Sequence, residues 1–65
     1  MKKSNIRKFW TINETATSFI FTNSMNFHIE LDKVTGNFIT GNVNDNDYMR
    51  KQFKLMMQVA NESKK

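Results

Sequence analysis

The sequence predicts a small α+β protein in which an antiparallel β-meander of three or four strands is followed by one C-terminal amphipathic helix (ββββα). Two patterns predict this order. From about residue 6 to residue 43, apolar and polar residues tend to alternate, as in strands with one buried face. From about residue 46 to residue 61, apolar residues recur every three or four positions, as in a helix that packs on a sheet.

Length and composition limit how such a chain is stabilised. At 65 residues it forms a single domain, 1–65, for which we expect short flexible basic ends at about 1–4 and 62–65. A core this small leaves a thin margin of stability, and small domains usually add disulfides, a metal or a second subunit. With no cysteine and one histidine, neither a disulfide nor a metal site is expected, so a homodimer is predicted.

The strands are separated by turns about every ten residues. The first strand is the least regular, because Lys8 interrupts the apolar side that Ile6, Trp10 and Ile12 form. The second is rich in β-branched and aromatic residues, which fit a pleated surface. The predicted strands are residues 6–12, 15–22, 25–31 and 38–43.

The third strand alternates strictly between apolar and polar residues. A hairpin follows it, because Asp32 is able to bond its own backbone and Gly36 supplies the positive φ of a tight turn. The apolar side of the third strand is Met25, Phe27, Ile29 and Leu31.

The sequence leaves open which face of the sheet is buried, since Phe9-Trp10 and Phe38-Ile39 each put an apolar residue on both sides. If Trp10, Phe19, Phe21, Phe27 and Ile39 face the helix, the opposite face carries small polar residues interleaved with aromatic and basic ones. Such a surface favours stacking of single-stranded bases or contact with a second subunit. Its larger members are Arg7, Phe9, His28 and Phe38.

The C-terminal helix is introduced by residues 44–47, a run of Asn and Asp that favours helix capping. Its apolar residues cover about 200° of the helical wheel, wider than the roughly 100° that packs one helix on one core. The surplus is predicted to contact a partner or a second subunit. The residues assigned to that contact are Tyr48, Leu55, Met56, Met57 and Val59.

Charge suggests the class of partner. Ten Lys and Arg against six Asp and Glu give a net charge of +4, concentrated near the two ends of the chain. A basic module is attracted to nucleic acid, an anionic membrane or an acidic protein. The apolar runs are pairs and triplets, so no membrane span is expected, and a cytoplasmic location is predicted.

Catalytic machinery is not evident. The one imidazole, His28, shares a strand face with Glu30, but residues two apart on a strand do not touch by default. Gly36 and Gly41 are the only glycines, so no glycine-rich phosphate loop is present. We therefore expect no enzymatic activity and no cofactor.

The first functional hypothesis is a nucleic-acid-binding homodimer that prefers single strands. The order of elements resembles in layout the single-strand-binding transcriptional coactivators and PUR-type folds, which dimerise. The alternative is a regulator or inhibitor of one protein partner, of a kind that phages and mobile elements encode, a source suggested by the abundance of Asn and Lys. The residues assigned to nucleic acid are Arg7, Lys8, Phe9, His28, Phe38, Arg50, Lys51 and Lys54.

Overall fold

The fold is α+β, and the predicted meander followed by a C-terminal helix is confirmed. The computed structural model describes residues 3–62 of the 65. The strands form one antiparallel sheet in the order β1-β2-β3-β4. The elements are α1 (Lys3–Phe9), β1 (Thr11–Glu14), β2 (Ser18–Thr22), β3 (His28–Asp32), β4 (Phe38–Gly41) and α2 (Asp47–Glu62).

The prediction of a strand over residues 6–12 is wrong in its first half, where the chain forms α1. Ile6 and Trp10 lie four positions apart, a spacing that fits one face of a helix as well as one side of a strand. The Trp10 amide donates to the Ile6 carbonyl at 2.9 Å, a helical hydrogen bond, and Ile6 is fully buried. Lys8, which interrupted the apparent alternation, lies exposed on this helix.

The third strand is shorter than predicted. The first residues of the predicted strand, 25–27, belong instead to a turn. In this turn the Asn23 side chain accepts hydrogen bonds from the Met25 and Phe27 amides. Asn26 has φ 66°, the left-handed conformation that Asn tolerates better than most residues, and this interrupts the alternation. Met25 and Phe27 are consequently exposed, whereas Ile29, inside β3, is fully buried.

The buried face of the sheet is the one that β2 and β3 build with α2. The register pairs Phe21 with Ile29 and Phe19 with Leu31. All four side chains are at most 1% exposed and share one core with α2. The opposite face includes Ser18, which is fully buried, Ile20, which is half-buried, and His28, which is exposed.

In β4 the faces are the reverse of the alternative in which Ile39 faces the helix and Phe38 lies on the opposite side. Glu30 pairs with Thr40 but Leu31 pairs with Phe38, so Ile39 is the extra residue of a β-bulge. The bulge turns Phe38 toward the core and leaves Ile39 50% exposed. An assumption of strict alternation along the sequence could not reveal this shift, because a bulge adds one residue and interrupts the period of two.

The C-terminal helix is confirmed nearly over its predicted range. The Asn46 side chain accepts from the Met49 amide at 2.9 Å, which is the N-cap hydrogen bond expected of the Asn and Asp run. The wide apolar arc of α2 is covered on two sides, by the sheet and by α1, since Ile6 belongs to the same core. Most of the surplus surface that suggested a second subunit is thus buried within one chain, although Tyr48 stays exposed.

The two helices are also joined at the ends of the described chain. Glu62 accepts from Lys3 and from Arg7, each at 2.9 Å. Residues 3, 4 and 62, which were expected within flexible ends, therefore belong to helices; the remaining residues of those predicted ends lie outside the described range. Within residues 3–62, neither helix has the length and hydrophobicity that a bilayer span requires.

Candidate nucleic-acid interface

A groove of about 600 Å³ runs between α2 and the β3–β4 hairpin, and it gathers several of the residues assigned to nucleic acid. One wall is the helix and the other is the hairpin loop. We call it the basic groove. It is lined by Thr35, Gly36, Asn37, Phe38, Asp45, Arg50, Phe53, Lys54, Met57 and Gln58.

The floor of the basic groove is apolar. The rings of Phe38 and Phe53 stack with centroids 5.4 Å apart. The hairpin approaches Met57 so closely that a Cβ on Gly36 would lie 3.3 Å from the Met57 Cγ. Gly36 also has φ 77°, which a side chain disfavours, so glycine serves both the turn and the packing here. The floor is therefore formed by the half-buried Phe38 ring, with Phe53 buried beneath it.

Two cations stand on the helix side of the basic groove. The Arg50 Nε donates to Asp45 at 3.1 Å, and this hydrogen bond together with the charge of Asp45 raises the pKa of Arg50 above its usual value. Lys54, one turn later, is exposed and forms no ion pair with another residue of the range 3–62. Lys51, which follows Arg50 in sequence, is also exposed on α2 but does not line the groove.

The hairpin wall is held by a carboxylate. The Asp32 side chain accepts hydrogen bonds from the Thr35 amide at 2.9 Å and the Val34 amide at 2.8 Å. These bonds, the one to Thr35 foremost, lower the pKa of Asp32 below its ordinary 3.8. Because the loop is fixed by its own side chain, the polar groups of Thr35 and Asn37 are presented to the groove in defined positions.

The other residues assigned to nucleic acid lie elsewhere. Three of them, Arg7, Lys8 and Phe9, are on α1. Arg7 pairs with Glu62, and Phe9 packs edge-on against the Trp10 ring, with centroids 5.3 Å apart. His28 is exposed on the face of the sheet opposite to the core. The stacking surface expected from Phe9, His28 and Phe38 on one sheet face is therefore not assembled, because α1 carries Phe9 away and the bulge turns Phe38 inward.

The residues assigned to a partner contact divide by burial. Met56, Met57 and Val59 are at most 9% exposed and belong to the core of this chain, so they are not available on its surface. Leu55 is partly buried against that core. Tyr48 is 66% exposed and is the one member of the set that lies open on the surface.

The described residues are less basic than the whole sequence. Lys2, Lys64 and Lys65 lie outside the described residues, which contain seven basic and six acidic side chains. Four of those seven cations are in ion pairs, namely Lys3, Arg7, Lys33 and Arg50. Positive charge without an acidic partner is thus concentrated on few positions of the described chain: Lys8, Lys51 and Lys54.

Sequence reasoning missed two features of the basic groove. Asp45 is expected only to cap the helix, although it also pairs with Arg50, and Phe53 is not among the residues assigned to a site. The five-residue separation of Asp45 and Arg50 gives no helical signal, because Asp45 precedes the helix. Among residues 3–62, no group of three or more His, Cys, Asp or Glu side chains is placed to hold a metal ion.

Comparison with known proteins gives no guide to function. No protein-family model matches the chain, no curated protein is significantly similar, and no solved structure matches its fold.

Proposed function

We propose that the chain is a non-enzymatic binding module for single-stranded nucleic acid and that the basic groove is its binding site. The observation that carries the proposal is the meeting of Phe38, Arg50 and Lys54 in one groove. Single-strand binding combines a cationic track for the phosphates with aromatic surface for the bases. The basic groove offers both within about 600 Å³.

Each part of the groove has a role in this proposal. Lys51 and Lys54 contact successive phosphates, since neither is neutralised by an ion pair with another described residue. Arg50 joins them once a phosphate competes with Asp45 for its guanidinium. The half-buried ring of Phe38, which is stacked on the buried Phe53, receives a base, which a single strand is able to turn outward and a duplex holds in its stack.

The electrostatic contribution in this proposal is modest. Three cations that displace counterions from a single strand give a slope of log K against log salt of about −2. We propose that the module acts in the cytoplasm. The chain has no cysteine, so a reducing compartment removes no disulfide from it. Dimerisation stays a prediction, which sedimentation of the full chain tests.

The test is a fluorescence-anisotropy titration of labelled single- and double-stranded oligonucleotides at two salt concentrations. We expect tighter binding to the single strand and the shallow salt slope given above. Lys54→Gln is expected to weaken binding several-fold and to reduce the slope by about 0.7, the loss of one phosphate contact. Asp45→Asn is expected to strengthen binding, because it releases Arg50.

The matched control is Lys33→Gln, which removes an equal charge at a cation that pairs with Glu14 and does not line the basic groove. Its affinity should equal that of the parent chain. Undetectable binding at low salt, or equal losses for Lys33→Gln and Lys54→Gln, would overturn the proposal, since charge alone and not the groove would then account for any attraction.

A further inference from the structure

A second groove, of about 380 Å³, lies where the end of α1, the β2–β3 turn, the end of β4 and the start of α2 meet. No residue is shared with the basic groove. We call it the end groove. It is lined by Phe9, Trp10, Phe27, Asn42, Val43, Asn44, Asn46, Tyr48 and Met49.

Aromatic side chains are exposed together in the end groove. Phe9 is 41% exposed, Phe27 38% and Tyr48 66%, so three of the six large exposed hydrophobic side chains of the described chain lie in this one depression. Singly exposed apolar residues are ordinary, whereas a contiguous group marks a surface made for contact. Tyr and Phe supply large contact area at a low cost in conformational entropy.

Part of the wall of the end groove packs against the core of the chain. Trp10, Val43 and Met49 are partly buried and pack against the core beneath. The Trp10 ring meets Phe9 edge-on, with centroids 5.3 Å apart and planes at 87°. Rigid apolar walls reduce the ordering cost of association, which is how a small number of residues come to supply most of the binding energy at an interface.

Two polar residues at the rim of the end groove already form hydrogen bonds within the fold. The Asn42 side chain accepts from the His28 amide and donates to the Asn26 carbonyl, both at 2.8 Å. Asn46 caps α2. Asn44 is exposed and forms no hydrogen bond with another residue of the range 3–62. Its amide, with one donor group and one acceptor, is therefore the rim position suited to pairing with the backbone of a bound peptide.

The end groove has no charged lining residue, and this favours an uncharged ligand. None of its lining residues is Lys, Arg, His, Asp or Glu, in a chain with 25% charged residues. A phosphate or a charged side chain placed here would lose its hydration without gaining a partner charge, which is costly. An uncharged aromatic or aliphatic side chain would instead gain from leaving water.

We propose that the end groove docks a short segment of a partner protein that inserts an uncharged aromatic or aliphatic side chain between Phe9, Phe27 and Tyr48. The volume of about 380 Å³ falls at the low end of the range for ligand pockets, roughly 300 to 1,000 Å³. A volume of this size accommodates one anchoring side chain with its flanking backbone. The inference is independent of nucleic-acid binding, because it uses none of the same residues.

The experiment selects ligands for the full chain from a random library of displayed peptides about twelve residues long, a length that spans the groove in extended form. Selected peptides are synthesised and titrated by calorimetry. We expect a shared uncharged aromatic or aliphatic anchor, and a loss of about tenfold or more in affinity when that anchor is replaced by Ser. Tyr48→Ala, a change at an exposed position, should cause a similar loss.

Val34→Ala is the matched control, because Val34 is 90% exposed at the hairpin and lies outside the end groove. Its affinity for the peptides should be unchanged. Circular dichroism of both variants checks that each remains folded. Three outcomes would overturn the proposal: no enriched peptide, anchors that carry charge, or equal affinity of the parent chain and Tyr48→Ala. Sedimentation as a dimer that Tyr48→Ala converts to a monomer would also overturn it, and would assign the groove to a second copy of the chain.

Discussion

Phe38 of β4 and Phe53 of α2 lie with their rings nearly parallel, at 10° and with centroids 5.4 Å apart. This stack joins β4, one of the two edge strands of the sheet, to α2. It exists because the β-bulge at Ile39 restores Phe38 to the buried face. The same pair forms the floor of the basic groove, so the stability of this edge and the shape of the proposed binding site depend on the same two rings.

Adjacent residues of β4 should therefore differ sharply in their contribution to stability. Phe38→Ala is expected to lower the free energy of unfolding by about 2–3 kcal/mol, less than a fully buried Phe because the ring is only partly buried. Ile39→Ala, at a position 50% exposed, is expected to cost less than about 1 kcal/mol. Urea unfolding measures both. A larger loss for Ile39→Ala would mean that the bulge is absent and that the faces follow simple alternation.

The burial of Ile6 predicts that α1 is part of the core. Ile6→Ala is expected to lower the free energy of unfolding by about 2–4 kcal/mol, as for other fully buried aliphatic side chains. Asn5→Ala, an exposed neighbour on the same helix, should change it by no more than about 0.5 kcal/mol. Chemical denaturation of the two variants provides the comparison, and equal stabilities would place Ile6 outside the core.

Gly41 is predicted to tolerate a side chain poorly. A Cβ at this position would lie 2.6 Å from the His28 carbonyl oxygen and 3.1 Å from the Ile29 Cα, both backbone atoms of the neighbouring strand. Gly41→Ala is expected to cost about 1–3 kcal/mol, because β3 and β4 would have to separate. Thr40→Ala, at the exposed preceding position, is the control. The thermal midpoints of the two variants should differ by several degrees, and coincident midpoints would contradict the predicted clash.

The hairpin beside the basic groove should be sensitive to acid. Because backbone hydrogen bonds lower the pKa of Asp32 below 3.8, the carboxylate stabilises the folded state at pH values above the unfolded pKa. This contribution is lost as the pH falls through the lowered folded value. Urea midpoints measured from neutral pH downward should fall in the parent chain, and more steeply than in Asp32→Asn. Parallel pH profiles would show that the carboxylate does not act in this way.

Local sequence was sufficient for those elements whose residues interact with near neighbours. The capping run before α2 and the turn around Asp32 and Gly36 were predicted because each is stabilised within a few residues of itself. The burial of Ile29 and Leu31 followed from alternation in the same way. The basic residues of α2 were likewise identified from helical spacing, and the structure places Arg50 and Lys54 in one groove.

Tertiary structure alone decided what depended on partners distant in sequence. The spacing of Ile6 and Trp10 fits a helix and a strand alike, and the packing of α1 on α2 selects the helix. Packing also decided that most of the wide apolar arc of α2 is covered by the chain itself, although Tyr48 stays exposed. Likewise, the bulge at Ile39 is set by pairing with β3, and the end groove exists because four separate segments converge. A pattern of polarity states which side chains avoid water, whereas contacts between remote segments determine what covers them.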